Sequence, residues 1–269
     1  MAETTGPLPD PSSIEGLPVS EYRAWLNRRW EDASKRAAAV CALDAYEALA
    51  GRADVTAEEI APVVEAARSP AFVSWDIGLR FLCRLGARYE VARQAMRELA
   101  QGSHAKLRGW TVASLHDRLP KESCLEMVRR GLTDRSRGVR MAAAGAGLWL
   151  LLRELLPDLD AAIQAEQHPI TRLELERSTG LLRDGFFLYP GPGGTRQLVV
   201  RATYGVPLNL CWLGPPWCPE VIKDAEEARV YADEFRRQRG GVCRSRPLRW
   251  DEKATEPVTP ADGYRTGNS

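Results

Sequence analysis

At 269 residues, 44% of them apolar, the chain is long enough to bury a sizeable core and too ordinary in composition to be a disordered or collagen-like polymer. Lys and Arg number 37 against 36 Asp and Glu, a formal charge of +1, which removes the simplest electrostatic argument for a nucleic-acid partner. The balance is uneven: residues 1–68 are net acidic, 69–140 net basic and 141–269 close to neutral.

Met1 to Leu17 is rich in Pro, Ser and acidic residues, and lacks a basic end followed by an apolar run. With Ala2 to Gly16 it reads as a solvated tail over residues 1–17. From residue 18 to 185 the chain reads as helix after helix. Ser20 is placed to cap a long amphipathic segment, Glu21 to Ala50, which Gly51 stops. Thr56 precedes a second helix, Ala57 to Arg68, with Glu58 and Glu59 in its first turn, where negative charge favours the helix dipole.

A repeat follows. First helices open at Ser69-Pro70, Ser103-His104, Ser136-Arg137 and His168-Pro169, at intervals of 34, 33 and 32 residues. Apolar helices are expected over Phe72–Leu85, Leu107–Leu119, Val139–Leu155 and Ile170–Leu182. Shorter second helices fit between them, such as Val91–Ala100 and Cys124–Leu132. Pro120 and Pro157 fall where a turn or first helical position belongs. One such pair cannot bury its apolar stripe alone, whereas stacked pairs share a core, and Ala142 to Gly147 would let helices approach closely.

The residues Leu132-Thr133-Asp134, then Val139-Arg140-Met141-Ala142-Ala143, resemble the HEAT-repeat pattern of Asp, a short gap, Val-Arg and small residues. Leu107-Arg108 and Thr171-Arg172 occupy equivalent places, so Arg108, Arg140 and Arg172 fall 32 residues apart. Ser74 stands in place of the Arg in the earliest unit. The resemblance covers about residues 69–184. It implies a mainly α fold, an α-α superhelix of HEAT-like (armadillo-like) helix pairs, with an Asp–Arg ladder between neighbouring repeats.

Past residue 185 the period changes. Phe186–Tyr189, Arg196–Tyr204 and Leu208–Leu213 read as strands, and Pro219–Arg239 reads as a helix stopped by Gly240-Gly241. Residues 186–243 are expected to form a small α+β cap on the open end of the stack, and residues 244–269 a second solvated tail.

Chemistry-bearing motifs are sparse. His104 and His168 open repeats two units apart, too distant to share a metal. His116 precedes Asp117 on a segment expected to be helical, where adjacent side chains diverge. Gly145-Ala146-Gly147 lacks the third glycine of a dinucleotide fingerprint, and Pro192-Gly193-Gly194-Thr195 lacks a phosphate-binding lysine. Glu58 with Glu59, Glu174 with Glu176 and Glu226 with Glu227 read as solvated faces. The six cysteines contain no CxxC pair and read as reduced thiols of a cytoplasmic protein. Met141 to Leu152, the longest apolar stretch, falls short of the roughly 20 residues that span a bilayer. No catalytic residue, metal ligand or cofactor site is assigned.

Two features point to binding. Leu213-Gly214-Pro215-Pro216-Trp217 presents an aromatic ring on a rigid Pro-Pro, either as a hot spot or to dock the cap on the stack. The basic run of the middle helices, with Arg93, Arg97, Arg129 and Arg130, offers cations that acidic residues interleave. The candidate partner-binding set is therefore Arg93, Arg97, Arg129, Arg130 and Trp217. The resemblance to HEAT repeats implies a non-catalytic protein–protein interaction scaffold or adaptor. Some proteins of that type resemble bacterial immunity partners of secreted toxins. The alternative is a nucleic-acid-binding protein similar to the HEAT-like alkylpurine DNA glycosylases, for which Trp75, Asp76 and Trp110 near Arg80 and Arg108 supply the residue types. A third class, lyase-associated HEAT proteins that handle linear tetrapyrroles, would invoke Cys83 or Cys124, which sit on apolar helix faces.

Overall fold

The computed structural model describes residues 19–29, 33–49, 51–191, 195–202, 210–215, 217–219, 221–239, 248 and 250; both expected tails lie outside them except for Leu248 and Trp250. The chain divides into two compact units, the boundary falling between Met96 and Arg97.

In the first unit, the long helix expected from residue 21 to 50 is two helices, α1 (Val19–Arg29) and α2 (Ala33–Leu49). They pack on one another, and Arg23 of α1 reaches Asp44 at 2.5 Å and Glu47 at 3.2 Å on α2. Ser20 lies inside α1 rather than capping it. The helix α3 (Ala57–Arg68) starts where Thr56 predicts, through a capping box: the Thr56 hydroxyl accepts the Glu59 N–H, and the Glu59 carboxylate accepts the Thr56 N–H at 2.8 Å. Its inner face, Ile60, Val63, Ala66 and Ala67, meets α2 and α4 (Phe72–Gly86). Phe81 of α4 anchors this core, stacked on Tyr46 at 4.4 Å between ring centroids and edge-on to Tyr22 at 5.8 Å. The Tyr89 hydroxyl donates to the Arg52 carbonyl at 2.7 Å, tying the start of α5 (Glu90–Gln101) to the turn after α2.

The second unit continues with α6 (Ala105–Ala113), α7 (Lys121–Leu132), α8 (Arg137–Trp149), α9 (Leu156–Ala165) and α10 (Pro169–Arg183). The helix α8 lies at its centre, packed on α6, α7 and α10. Small residues make that possible: a Cβ built on Gly131 of α7 would stand 2.8 Å from the Ala143 Cβ of α8.

Two expected helices are shorter than their apolar pattern. The first ends at Ala113, not Leu119, because the Ser114 hydroxyl turns back to the Thr111 carbonyl and the chain enters a turn. Leu115 and Leu119 remain buried from that turn, so the spacing of apolar residues was satisfied without a helix. The other ends at Trp149, where Leu151 adopts φ 49° and the N–H groups of Leu151 and Leu152 donate back to the carbonyls of Leu148 and Gly147. A 3₁₀ turn (Arg153–Leu155) then leads into α9, with Pro157 in its first turn as expected.

After α10 come three antiparallel strands in sequence order, β1 (Phe186–Pro190), β2 (Arg196–Arg201) and β3 (Leu210–Leu213), with Phe186 opposite Val200 and Val199 opposite Trp212. The alternation of β1 and β2 gives the sheet two apolar faces. Phe186, Leu198, Val200 and Leu213 join Ala228, Ala232 and Phe235 of α11 (Ala225–Arg239) in one core. Phe187 packs on Gly180 of α10, and the Tyr189 hydroxyl donates to Glu174 on the same helix at 3.5 Å. The helix α11 starts later than Pro219, because Asp224 accepts the N–H groups of Glu226 and Glu227, both at 2.9 Å, and so defines the first turn. The chain is thus mainly helical, with a small antiparallel sheet near the C-terminus.

Candidate interaction surface

The three arginines at 32-residue spacing sit on α6, α8 and α10, helices that pack in succession. Each makes the same backbone contact, donating to a carbonyl six residues earlier: Arg108 to Gly102, Arg140 to Asp134 and Arg172 to Glu166. Two also cross to the next repeat. Arg108 forms a two-pronged pair with Asp134, at 2.7 and 2.8 Å, and Arg140 reaches Glu166 at 2.8 and 2.5 Å. Both pairs span 26 residues. Each acid then uses its other lone pairs on the start of the following helix, Asp134 accepting the Ser136 N–H at 2.7 Å and Glu166 the His168 N–H at 3.0 Å.

These pairs are largely removed from water. The Arg108 and Asp134 side chains are 5% and 13% exposed, those of Arg140 and Glu166 20% and 4%. The Arg108 hydrogen bond holds the Asp134 carboxyl below its usual range, against the upward pull of burial. Burial pushes the Glu166 carboxyl up, but the His168 N–H and the Arg140 guanidinium outweigh it and the net is downward.

A second ladder runs over the second helices. Arg97 of α5 meets Glu126 of α7 at 3.0 Å, and Arg129 of α7 meets Asp158 of α9 at 3.1 Å, each pair spanning 29 residues. The sequence pattern showed Asp134 but not Glu166, Glu126 or Asp158 as rungs. Applying the 32-residue offset to acids as well as arginines finds all of them, since 134 leads to 166 and 126 to 158.

The candidate residues therefore divide. Arg97 and Arg129 are rungs of the exposed ladder. Arg93 donates to the Gly86 carbonyl and to Glu90, both at 2.6 Å, and so braces the corner between α4 and α5. Arg130 is exposed near the end of α7. The Trp217 ring lies edge-on to Phe235 of α11 at 5.2 Å, so it packs inside the sheet-and-helix region. Asp76 forms its ion pair with Arg80 at 3.0 Å in the first unit, while Trp110 and Arg108 belong to the second. Cys83 and Cys124 are buried, in contact with Met96 and with the His116 carbonyl respectively.

His116 and Asp117 depart from expectation. Because α6 ends early they lie in a turn, where neighbouring side chains can meet, and Nδ1 and Oδ1 are 2.7 Å apart with the carboxylate fully buried. His168 caps α10, and its Nε2 lies 2.8 Å from the Arg137 guanidinium of α8. Among the described residues no group of three or more His, Cys, Asp or Glu side chains is arranged to hold a metal ion, and no helix is long and apolar enough to cross a membrane.

The shared hydrogen bonds bring the connections at residues 102–106, 133–137 and 166–172 side by side on one edge of the second unit. Their only acids are Asp134 and Glu166, both turned inward onto arginines. Their exposed charges are Lys106, Arg135, Arg137 and Arg172, all positive. Ile170 stands among them, 62% exposed.

What is defined is a mainly α-helical protein with ion pairs recurring at a 32-residue spacing and one cationic edge. Comparison with protein-family models, with curated proteins and with solved structures found no match.

Proposed function

We propose that the chain is a non-catalytic scaffold or adaptor of HEAT-repeat type that works by holding a protein partner. The observation that carries this reading is the pair of ion-pair ladders sharing one 32-residue period. Identical contacts at identical spacing are what stacked helical repeats require, and stacked repeats present extended surfaces suited to gripping other proteins. The arginines that composition offered for other work are mostly committed to the fold.

Affinity capture tests the reading. The full chain, immobilised and shown to be folded by circular dichroism, is exposed to lysate of its own source, and retained proteins are identified by mass spectrometry. A specific partner retained over a heat-unfolded control supports it. Retention equal to that control, with folded bait, refutes it. A toxin among the retained proteins would make the chain an immunity partner.

A further inference from the structure

We propose that the edge carrying Lys106, Arg135, Arg137, Ile170 and Arg172 is the docking site for an acidic protein segment that inserts an apolar side chain between its carboxylates. The proposal rests on the scaffold reading and specifies the surface and the chemistry of its partner.

The charge is one-sided for a structural reason. In sequence two of the three connections hold an acid together with their bases, but the fold turns both acids inward, to 13% and 4% exposure, and leaves the four cations outward. Three of the four make their described contacts with groups other than carboxylates: the Lys106 ammonium lies over the Trp110 ring at 4.5 Å, Arg137 faces His168 Nε2 at 2.8 Å, and Arg172 donates to the Glu166 carbonyl. Arg135 is exposed, and its charge adds to the pull on the neighbouring Asp134 carboxylate, which already pairs with Arg108. Guanidinium groups favour planar, two-pronged acceptors such as carboxylates.

Ile170 selects the kind of anion. An exposed β-branched side chain amid cations gains nothing from a phosphate backbone but gains from an apolar side chain that it helps to desolvate. The Trp110 ring beside this edge is only half-exposed, and the Lys106 ammonium already lies over one of its faces, which reduces what it offers a stacking base. Helix axes about 8–10 Å apart place cations of successive repeats at a spacing that an extended strand matches with every third residue.

The test uses the full chain and three fluorescein-labelled probes of equal length: a peptide of Asp and Glu around a central pair of leucines, the same peptide with serines for leucines, and single-stranded DNA. Fluorescence anisotropy is read at low and at several-fold higher salt. The leucine peptide is expected to bind more tightly than the serine peptide and than DNA, and more weakly as salt rises. The double variant Lys106→Glu, Arg135→Glu should bind it about tenfold more weakly. Ile170→Ser should lose the preference for leucine over serine while melting like wild type. Absence of peptide binding at low salt overturns the proposal. So does DNA binding as tight as the leucine peptide's, or binding that ignores the charge reversal. The capture experiment separates the two levels: a partner kept equally by wild type and the double variant refutes this edge and leaves the scaffold standing, whereas failure of wild type to keep any refutes the scaffold itself.

Discussion

Replacing Glu166 by alanine removes an acceptor that serves two nitrogens of Arg140 and the His168 N–H at once. The carboxylate is 4% exposed, so what it leaves behind is a guanidinium and an amide with little access to water. Removing one partner of a buried ion pair costs about 3–5 kcal/mol. Arg140 is 20% exposed and recovers some hydration, which argues for the lower end, about 3 kcal/mol. With a urea dependence of about 2 kcal/mol per molar for a unit of this size, the midpoint should fall by about 1.5 M. The comparator is Asp158→Ala, which breaks the exposed rung to Arg129, whose side chains are 38% and 49% exposed. It should cost no more than about 0.5 kcal/mol. Because the chain has two units, unfolding is read locally, by hydrogen exchange of peptides from residues 137–183, alongside circular dichroism. Equal losses for the two variants would refute the assignment of a buried, fold-determining ladder and an exposed, dispensable one.

The pH dependence has a definite sign. The folded protein holds the Asp134 and Glu166 carboxyls below their unfolded values, so their contribution is complete above the ordinary carboxylate range, about pH 4–4.5. It is lost as pH falls through the lower folded-state values. Acid titration of Glu166→Gln should show a shallower loss of stability below that range than wild type; identical slopes would contradict the pairing. Gly78→Ala should destabilise by about 2 kcal/mol or more, since its Cβ would stand 2.3 Å from the Ala67 nitrogen across the α3–α4 contact. Gly145→Ala, inside α8 with nothing within 4 Å, should stabilise by about 0.5–1 kcal/mol. Thermal melts of the pair check both signs. Leu151→Gly relieves a left-handed backbone at φ 49° and should raise stability by up to about 1 kcal/mol. A drop of that size would show that the Leu151 side chain packs well enough to hold the strain.

The even arginine spacing is legible because it keeps one residue type, whereas the acids that the arginines meet alternate between Asp134 and Glu166 and fall outside a pattern built on Asp. Element type followed from periodicity, but helix ends did not. The sequence Leu115-His116-Asp117-Arg118-Leu119 keeps its leucines at helical spacing while tertiary burial holds them from a turn. The His116–Asp117 contact is hidden in the sequence for the same reason, since adjacent side chains meet only off a helix. Trp217 was read as an exposed or docking ring because Pro-Pro rigidity is local information, while Phe235, on which it rests, lies eighteen residues away on α11.

Composition misstates the surface of this chain in both directions. The basic middle segment looks like a binding stripe, yet Arg93, Arg97, Arg108, Arg129 and Arg140 all donate to acids or carbonyls of the fold. The three connections on the cationic edge carry two acids against four cations, yet the fold draws both acids inward and leaves the cations in water. The two effects have one cause. A buried arginine needs a carboxylate to offset its desolvation, and in a repeat the nearest carboxylate belongs to the connection that begins the next helix. Every rung formed this way subtracts a negative charge from the same edge. A short run of rungs therefore makes that edge positive without raising the net charge of the chain, which is the electrostatic premise of the acidic partner proposed for it.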